Sequence, residues 1–251
     1  MPAPYHLTLG AHTNNWTTDN AAIGPLRSQR VFRSGLLPTT FAGSVADGYP
    51  NNVTVYLSYK TAGNTAAFVA SIPPTKRIRL IYHHEPENEY GGNGAAFVAQ
   101  YLAEYAIVKA TNPAVTMGMA AMTYQYKAGR FGASGSFLPP ATAVDFYGAD
   151  NYETVPQRLA VSSEFLGWYN LVKNRGKELV MLEYGVGDVS VAPYSAQRVV
   201  TMQADSIWLT STGLFSDWLY WYSSGANGSN WVFTDQPSKS TWSALCLTHN
   251  L

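Results

Sequence analysis

Residues Arg77–Asn88 read RIRLIYHHEPEN. A basic start feeds an apolar run, and the run delivers two histidines and two carboxylates at its exit. Ile78, Leu80 and Ile81 occupy both parities, as expected of a parallel strand covered on both faces. Seven further runs share this β-rich character: Tyr5–Ala11, Ser28–Arg33, Val53–Tyr59, Val115–Met122, Ala143–Ala149, Glu178–Glu183 and Ser216–Tyr222. Helical patterns fall between several of them. Gly94–Ala110 is alanine-rich and is stopped by Asn112-Pro113. Pro156 is expected to open a helix reaching Asn174, with Gly176 beyond its end. Ser195 is expected to N-cap another that finishes near Gly213. Thr65–Ile72 allows only a short helix, and Ala128–Pro140 reads as a Gly/Pro/Ser loop. Eight strands alternating with helices predict an α/β fold, a single (β/α)₈ TIM barrel over residues 1–251 with some short or missing helices. An open doubly wound sheet would also alternate, but no Gly-rich phosphate loop follows the first strand.

Composition narrows the partners. The 251 residues carry 16 Lys+Arg against 16 Asp+Glu, a formal net charge of zero. No cationic excess exists to displace counterions from a phosphate backbone, so nucleic acid is not the expected partner, nor is an anionic membrane surface. No apolar run approaches about 18 residues, so no membrane insertion is expected. Met1–Gly10 lacks a cationic start and a long apolar stretch, and so does not read as a signal peptide. Cys246 is the only cysteine, read as a small buried hydrophobe, and disulfide frameworks are excluded. The glycosylation patterns at Asn15, Asn52 and Asn227 are read as chance matches. With 17 Tyr and 7 Trp against 10 Phe, amphipathic rings dominate, a composition suited either to core packing or to a sugar-binding cleft.

Charged residues are only 13% of the chain, so the position of each acid is informative. Eight of the 16 acids fall at or just beyond the ends of three strands: Glu85, Glu87 and Glu89; Asp145, Asp150 and Glu153; Glu183 and Asp188. Catalytic groups of a barrel belong at those ends. His83, Glu85 and Glu87 share strand parity and could hold a metal; the cluster could also be a solvated acidic loop, or contain a general acid kept protonated by burial and a neighbouring carboxylate. Glu183 supplies that neighbour, at the end of the otherwise uncharged Leu179–Gly185 (LVMLEYG). Two carboxylates facing each other across a barrel mouth are the equipment of glycoside hydrolysis, and no cofactor or metal is needed for it.

These motifs resemble clan A glycoside hydrolases, closest in style to family 26, the β-mannanase type. His84-Glu85 matches the family's fourth-strand pair, in which the Glu is the acid/base. Glu183-Tyr184-Gly185 matches the seventh-strand nucleophile, and Gly148-Ala149-Asp150-Asn151-Tyr152 matches the sixth-strand pattern whose Tyr steadies it. Trp221 matches the eighth-strand sugar platform. The resemblance implies a double-displacement, retaining cleavage of a β-linked polysaccharide, with Glu85 and Glu183 catalytic and His84, Asp150, Tyr152 and Trp221 around the substrate. Glu87 stands where the family usually has Asn, so Glu87 competes with Glu85 for the acid/base role. Arg33, His12 and Trp16 are further candidates for sugar contacts, as are Asn14, Asn15, Tyr124 and Tyr126. Glu85 shares parity with Arg77 and Arg79, so the barrel floor is expected to hold paired or solvated arginines. The rival expectation is a non-catalytic glycan-binding or structural barrel. Without a secretion signal, the chain would be cytoplasmic until lysis, or part of a virion or homo-oligomeric assembly such as a phage tail, meeting a polysaccharide or cell-surface glycan there.

Overall fold

The computed structural model describes residues 4–224 and 228–250; Asn227 and Met1–Ala3, both part of readings above, lie outside them. Eight parallel strands close into a barrel in sequence order: β1 (Thr8–Thr13), β2 (Ser28–Phe32), β3 (Thr54–Tyr59), β4 (Arg77–Tyr82), β5 (Thr116–Met122), β6 (Phe146–Glu153), β7 (Glu178–Val186) and β8 (Phe215–Tyr222), the last pairing with β1. The helices are α1 (Trp16–Ile23), α2 (Thr65–Ala70), α3 (Pro86–Glu89), α4 (Gly94–Thr111), α5 (Ser163–Val172), α6 (Ser195–Thr212) and α7 (Gln236–His249). No α-helix follows β2, and β5 is followed only by short 3₁₀ turns. The (β/α)₈ expectation therefore holds, including its thin helical ring. No helix among the described residues is long and apolar enough to cross a membrane.

Local chemistry accounts for where the expected elements shift. The helix expected from Pro156 starts at Ser163, because the Ser162 side chain accepts from the Phe165 amide and caps it there. Ser195 is not an N-cap: it lies inside α6, and its hydroxyl donates to Asp235. Asp235 in turn caps α7, a helix the sequence pattern did not reveal, and Cys246 is buried within it.

Strand alternation divides the core in two. Inside the barrel, Tyr56, Ile81, Ala120, Phe146, Val180, Leu182 and Leu219 pack together. The opposite parity, including Leu80, Met181, Tyr184, Trp218 and Tyr220, packs outward beneath the helices. The floor resolves the expectation about arginines. Arg79 is ion-paired with Glu178 and donates to the Tyr56 hydroxyl at 2.8 Å; that hydroxyl donates to Asp217 at 2.7 Å. Arg77 is exposed at the edge.

The inner wall also depends on a glycine. A Cβ at Gly10 would lie 2.0 Å from the Ser28 carbonyl oxygen on the paired strand, where neither backbone can retreat without opening the barrel. Gly10→Ala should therefore lower the unfolding free energy by about 2–4 kcal/mol, read from denaturant titrations.

Candidate active site

The mouth is built on two departures from regular strand geometry. The first follows β4. Among the described residues, His83 and Glu85 are the non-glycine residues with positive φ, at 49° and 51°. Such conformations cost on the order of 1 kcal/mol or more each, and persist only where the surroundings impose them. Here the His83 amide donates to Tyr59 O and the Glu85 amide to Ala120 O, both at 2.9 Å, which ties the segment to the strands on either side. The two reversals end the parity of β4. His83 turns to Glu89 (Nδ1 to Oε2, 2.6 Å), His84 and Glu85 reach the mouth, and Glu87 turns behind the wall.

The second departure is a bulge in β7. Ala149 pairs with Met181 and Asp150 with Glu183, so Leu182 is the extra residue. Regular alternation would put Glu183 on the same outward face as Met181. The bulge re-aims it into the barrel, beside Asp150 and Tyr152 of β6.

One carboxylate oxygen each from Glu85, Asp150 and Glu183 lie within 4.8 Å of one another. Arg30, fully buried on β2, donates from Nε to Glu183 Oε1 at 3.2 Å and from Nη1 to Ser58 Oγ at 2.6 Å. The Tyr152 hydroxyl donates to Glu183 Oε2. Both oxygens of Asp150 are buried without a hydrogen-bond partner among the described residues. Glu85 accepts one hydrogen bond, from Asn88 Nδ2 at 3.1 Å.

These partners sort the three acids. Burial, then the charges of Glu183 and Glu87, push the Glu85 carboxyl up to about 8. Burial and the charge of Glu183 push Asp150 well above the usual carboxylate range. Burial also raises Glu183, but Arg30 and Tyr152 oppose it. Glu183 is the acid bonded to both a cation and a phenol, which favour its carboxylate form, whereas burial and the charge of Glu183 favour the protonated forms of Glu85 and Asp150. Burial keeps both nearby histidines neutral, lowering His84 to about 3 and His12 to about 4.

A cleft of about 710 Å³ opens over this floor. Its lining includes Glu85, Glu183, His84, Tyr152, Trp221 and Arg33, six of the residues singled out from the sequence. His12 lies against Trp221, the two rings stacked with centroids 4.1 Å apart. The remaining candidates lie elsewhere. Glu87 is wholly buried behind the wall, where its Oε1 accepts from Tyr126 at 2.6 Å; burial raises it to about 7. Asp150 lies beneath the cleft surface. Trp16 begins α1 and packs its ring edge against Tyr49, Asn15 caps the same helix, and Asn14 bonds Ser223. Tyr124 packs against Lys127 and Arg130.

Sequence reading missed Arg30, Phe32, Lys60 and Trp231. An arginine inside the strand SQRVF was a readable signal for the first; the others gave none. The proposed metal set also separates, since His83, Glu85 and Glu87 point three ways. Glu85, Asp150 and Glu183 are the described groups close enough to share a cation, and Arg30 already supplies a positive charge to that cluster.

No protein-family model matches the chain, and no curated protein does. Solved structures do match in fold. A GH128 (subgroup I) endo-β-1,3-glucanase from Amycolatopsis mediterranei, in complex with laminaripentaose, superposes with a TM-score of 0.57 at 16% identity, over 94% of this chain and 98% of that one. A GH128 (subgroup III) curdlan-specific exo-β-1,3-glucanase from Blastomyces gilchristii gives 0.60 at 13% identity, over 94% and 97%. Bacteroides uniformis β-glucuronidase 2 gives 0.54 at 10% identity, over 87% of this chain and 30% of that one. These neighbours are clan A-like barrels; the narrower likeness to family 26 is not shown by them. At such identities the shared property is the fold.

The state of Glu85 can be tested without any substrate. Folding raises its pKa from 4.5 to about 8, so between those values the folded chain holds a proton that the unfolded chain has released. Stability must then fall as pH rises through that window. Glu85→Gln removes this loss. The variant's advantage in unfolding free energy over the parent should grow from about pH 5 to about pH 8 by up to about 3–4 kcal/mol. A difference independent of pH would mean that Glu85 is already ionised in the resting protein.

Proposed function

We propose that this protein is a retaining glycoside hydrolase that cleaves a β-linked polysaccharide, with Glu183 as nucleophile and Glu85 as acid/base. One observation carries the reading: two carboxyl groups with oxygens within 4.8 Å face each other in an open cleft, one bound to a cation and the other in surroundings that push its pKa up to about 8. Carboxyl groups about 5–5.5 Å apart are the spacing of double displacement, whereas inversion leaves room for a water between more distant groups.

In the first step a Glu183 oxygen attacks the anomeric carbon while Glu85 gives its proton to the departing glycosidic oxygen. The ester removes the negative charge that helped hold the proton on Glu85, so the Glu85 pKa falls and the carboxylate becomes the base for the second step. Glu85 then takes a proton from water, the hydroxyl attacks the anomeric carbon, and Glu183 leaves as carboxylate. Arg30 and Tyr152 hold the two Glu183 oxygens in place for attack and stabilise the charge when it returns. Trp221, with one face on His12, and Trp231 provide apolar ring surface in the cleft for a sugar. β-1,3-Glucan is the first substrate to examine, because the GH128 neighbours are β-1,3-glucanases.

Reducing-end release from laminarin, curdlan, mannans and bacterial wall polysaccharides tests the reading. Glu183→Gln should lower kcat on any substrate found by about 10³-fold or more. Glu85→Ala should be rescued by azide on an activated aryl glycoside, giving the β-glycosyl azide, since the intermediate on Glu183 is then open to a small anion. Full activity in Glu183→Gln protein would sink the assignment. Glycan binding without turnover on any substrate would make the barrel a binding module instead.

A further inference from the structure

The charge of the cleft is uneven from floor to rim. Around the reacting acids, Glu183 is matched by Arg30, while burial and the charge of Glu183 raise Glu85 and Asp150 and favour their neutral forms. At the rim, two cations stand at the exits of adjoining strands: Arg33 after β2 and Lys60 after β3. Lys60 is ion-paired with Glu89, which His83 also contacts. Arg33 has no carboxylate within ion-pair distance among the described residues, and no Asp or Glu lies outside them.

Arg33 is also held in place. Its amide donates to Ser58 O at 2.8 Å, and its Nε donates to Leu36 O at 2.9 Å. Leu36 pairs with Thr61, and the Lys60 amide reaches Gly35 O. The Nε–H is thus committed to the protein, while the two terminal nitrogens have no protein partner among the described residues. Those nitrogens form the edge that grips a carboxylate, sulfate or phosphate with two parallel hydrogen bonds. A neutral glucan or mannan offers this fork only pairs of hydroxyls, whose hydrogen bonds to a guanidinium are weaker than those of an anion.

We infer that the cleft takes a β-linked glycan bearing an anionic substituent, and that Arg33 receives that substituent at the β2–β3 side of the site. This rests on the hydrolase reading for the location of the site, but recognition and cleavage separate experimentally. The Arg30–Glu183 pair offsets one charge with another at the base of the cleft, and Arg33 adds a positive charge at the rim with no ion-pair partner among the described residues.

The test is the affinity of Glu85→Gln protein, in which the Glu183–Arg30 pair stays intact, measured by calorimetry, for laminarin and β-mannan and for their carboxymethyl, sulfated and phosphorylated derivatives. At least one charged form should bind about tenfold or more tighter than its neutral parent at about 50 mM salt, and the advantage should shrink at about 0.5 M. The derivative that gains most identifies the anion. Adding Arg33→Gln should remove most of the advantage, and Arg33→Lys should keep part of it, as charge without the fork. Arg33 is exposed, and unchanged melting temperatures would confirm that both variants fold. Equal affinity for charged and neutral forms, no binding of any charged form, or an advantage that survives Arg33→Gln would overturn the inference. Turnover of neutral glycans with no anionic preference would remove this inference and leave the hydrolase. Arg33-dependent binding without turnover by the unmutated protein would do the reverse.

Discussion

One guanidinium among three carboxyl groups, two buried and one half-buried, sets the electrostatics of the barrel mouth. Arg30 can balance one negative charge, and its hydrogen bond selects Glu183 to carry it. Ionising all three carboxyl groups within 4.8 Å of one another would set like charges against each other, which favours the protonated form of those that Arg30 does not contact. With one cation among three acids, the surroundings favour one carboxylate and oppose the ionisation of the other two. The identity of each follows from who is bonded to whom: Glu183 has Arg30 and Tyr152, whereas Glu85 has a single amide donor and Asp150 has none.

The two ends of the barrel treat buried charge differently. At the floor, Arg79, Glu178, Asp217, Tyr56 and Thr8 satisfy one another, and the network closes the barrel beneath its apolar interior. At the mouth, Asp150 and one terminal nitrogen of Arg30 are buried without partners, and His83 and Glu85 hold backbone conformations that side chains disfavour. A protein tuned only for stability would lose both features. Both features lie around one cleft, at the end of the strands where barrels place their chemistry, and both cost stability.

Much of this was legible in the chain. The eight strands announced themselves because parallel strands buried on both faces must be apolar at both parities, and Leu80–Ile81 and Leu179–Leu182 can be little else. Glu85 and Glu183 stood out because a charge-poor chain leaves its few acids at strand ends. Three things resisted reading. Helix α7 carries Ser, Lys and Thr through its first half, so no apolar period marks it. Trp16 resembles a mouth residue in sequence but begins a helix that carries it against Tyr49. Glu87 sits two residues from Glu85, and only the reversals at His83 and Glu85 send one into the cleft and the other behind the wall.

The sequence alone determined the barrel, the ends of the strands that carry the acids, and the aromatic surface available to line a cleft, because each is a consequence of local hydrophobic pattern and strand order. The tertiary structure decided which acids meet. A single extra residue at Leu182 turns Glu183 from the helix layer into the barrel, and Arg30 arrives from a strand 153 positions away to hold it there. Bulges and cross-barrel ion pairs depend on backbone register between segments distant in the chain, and no local pattern encodes that register.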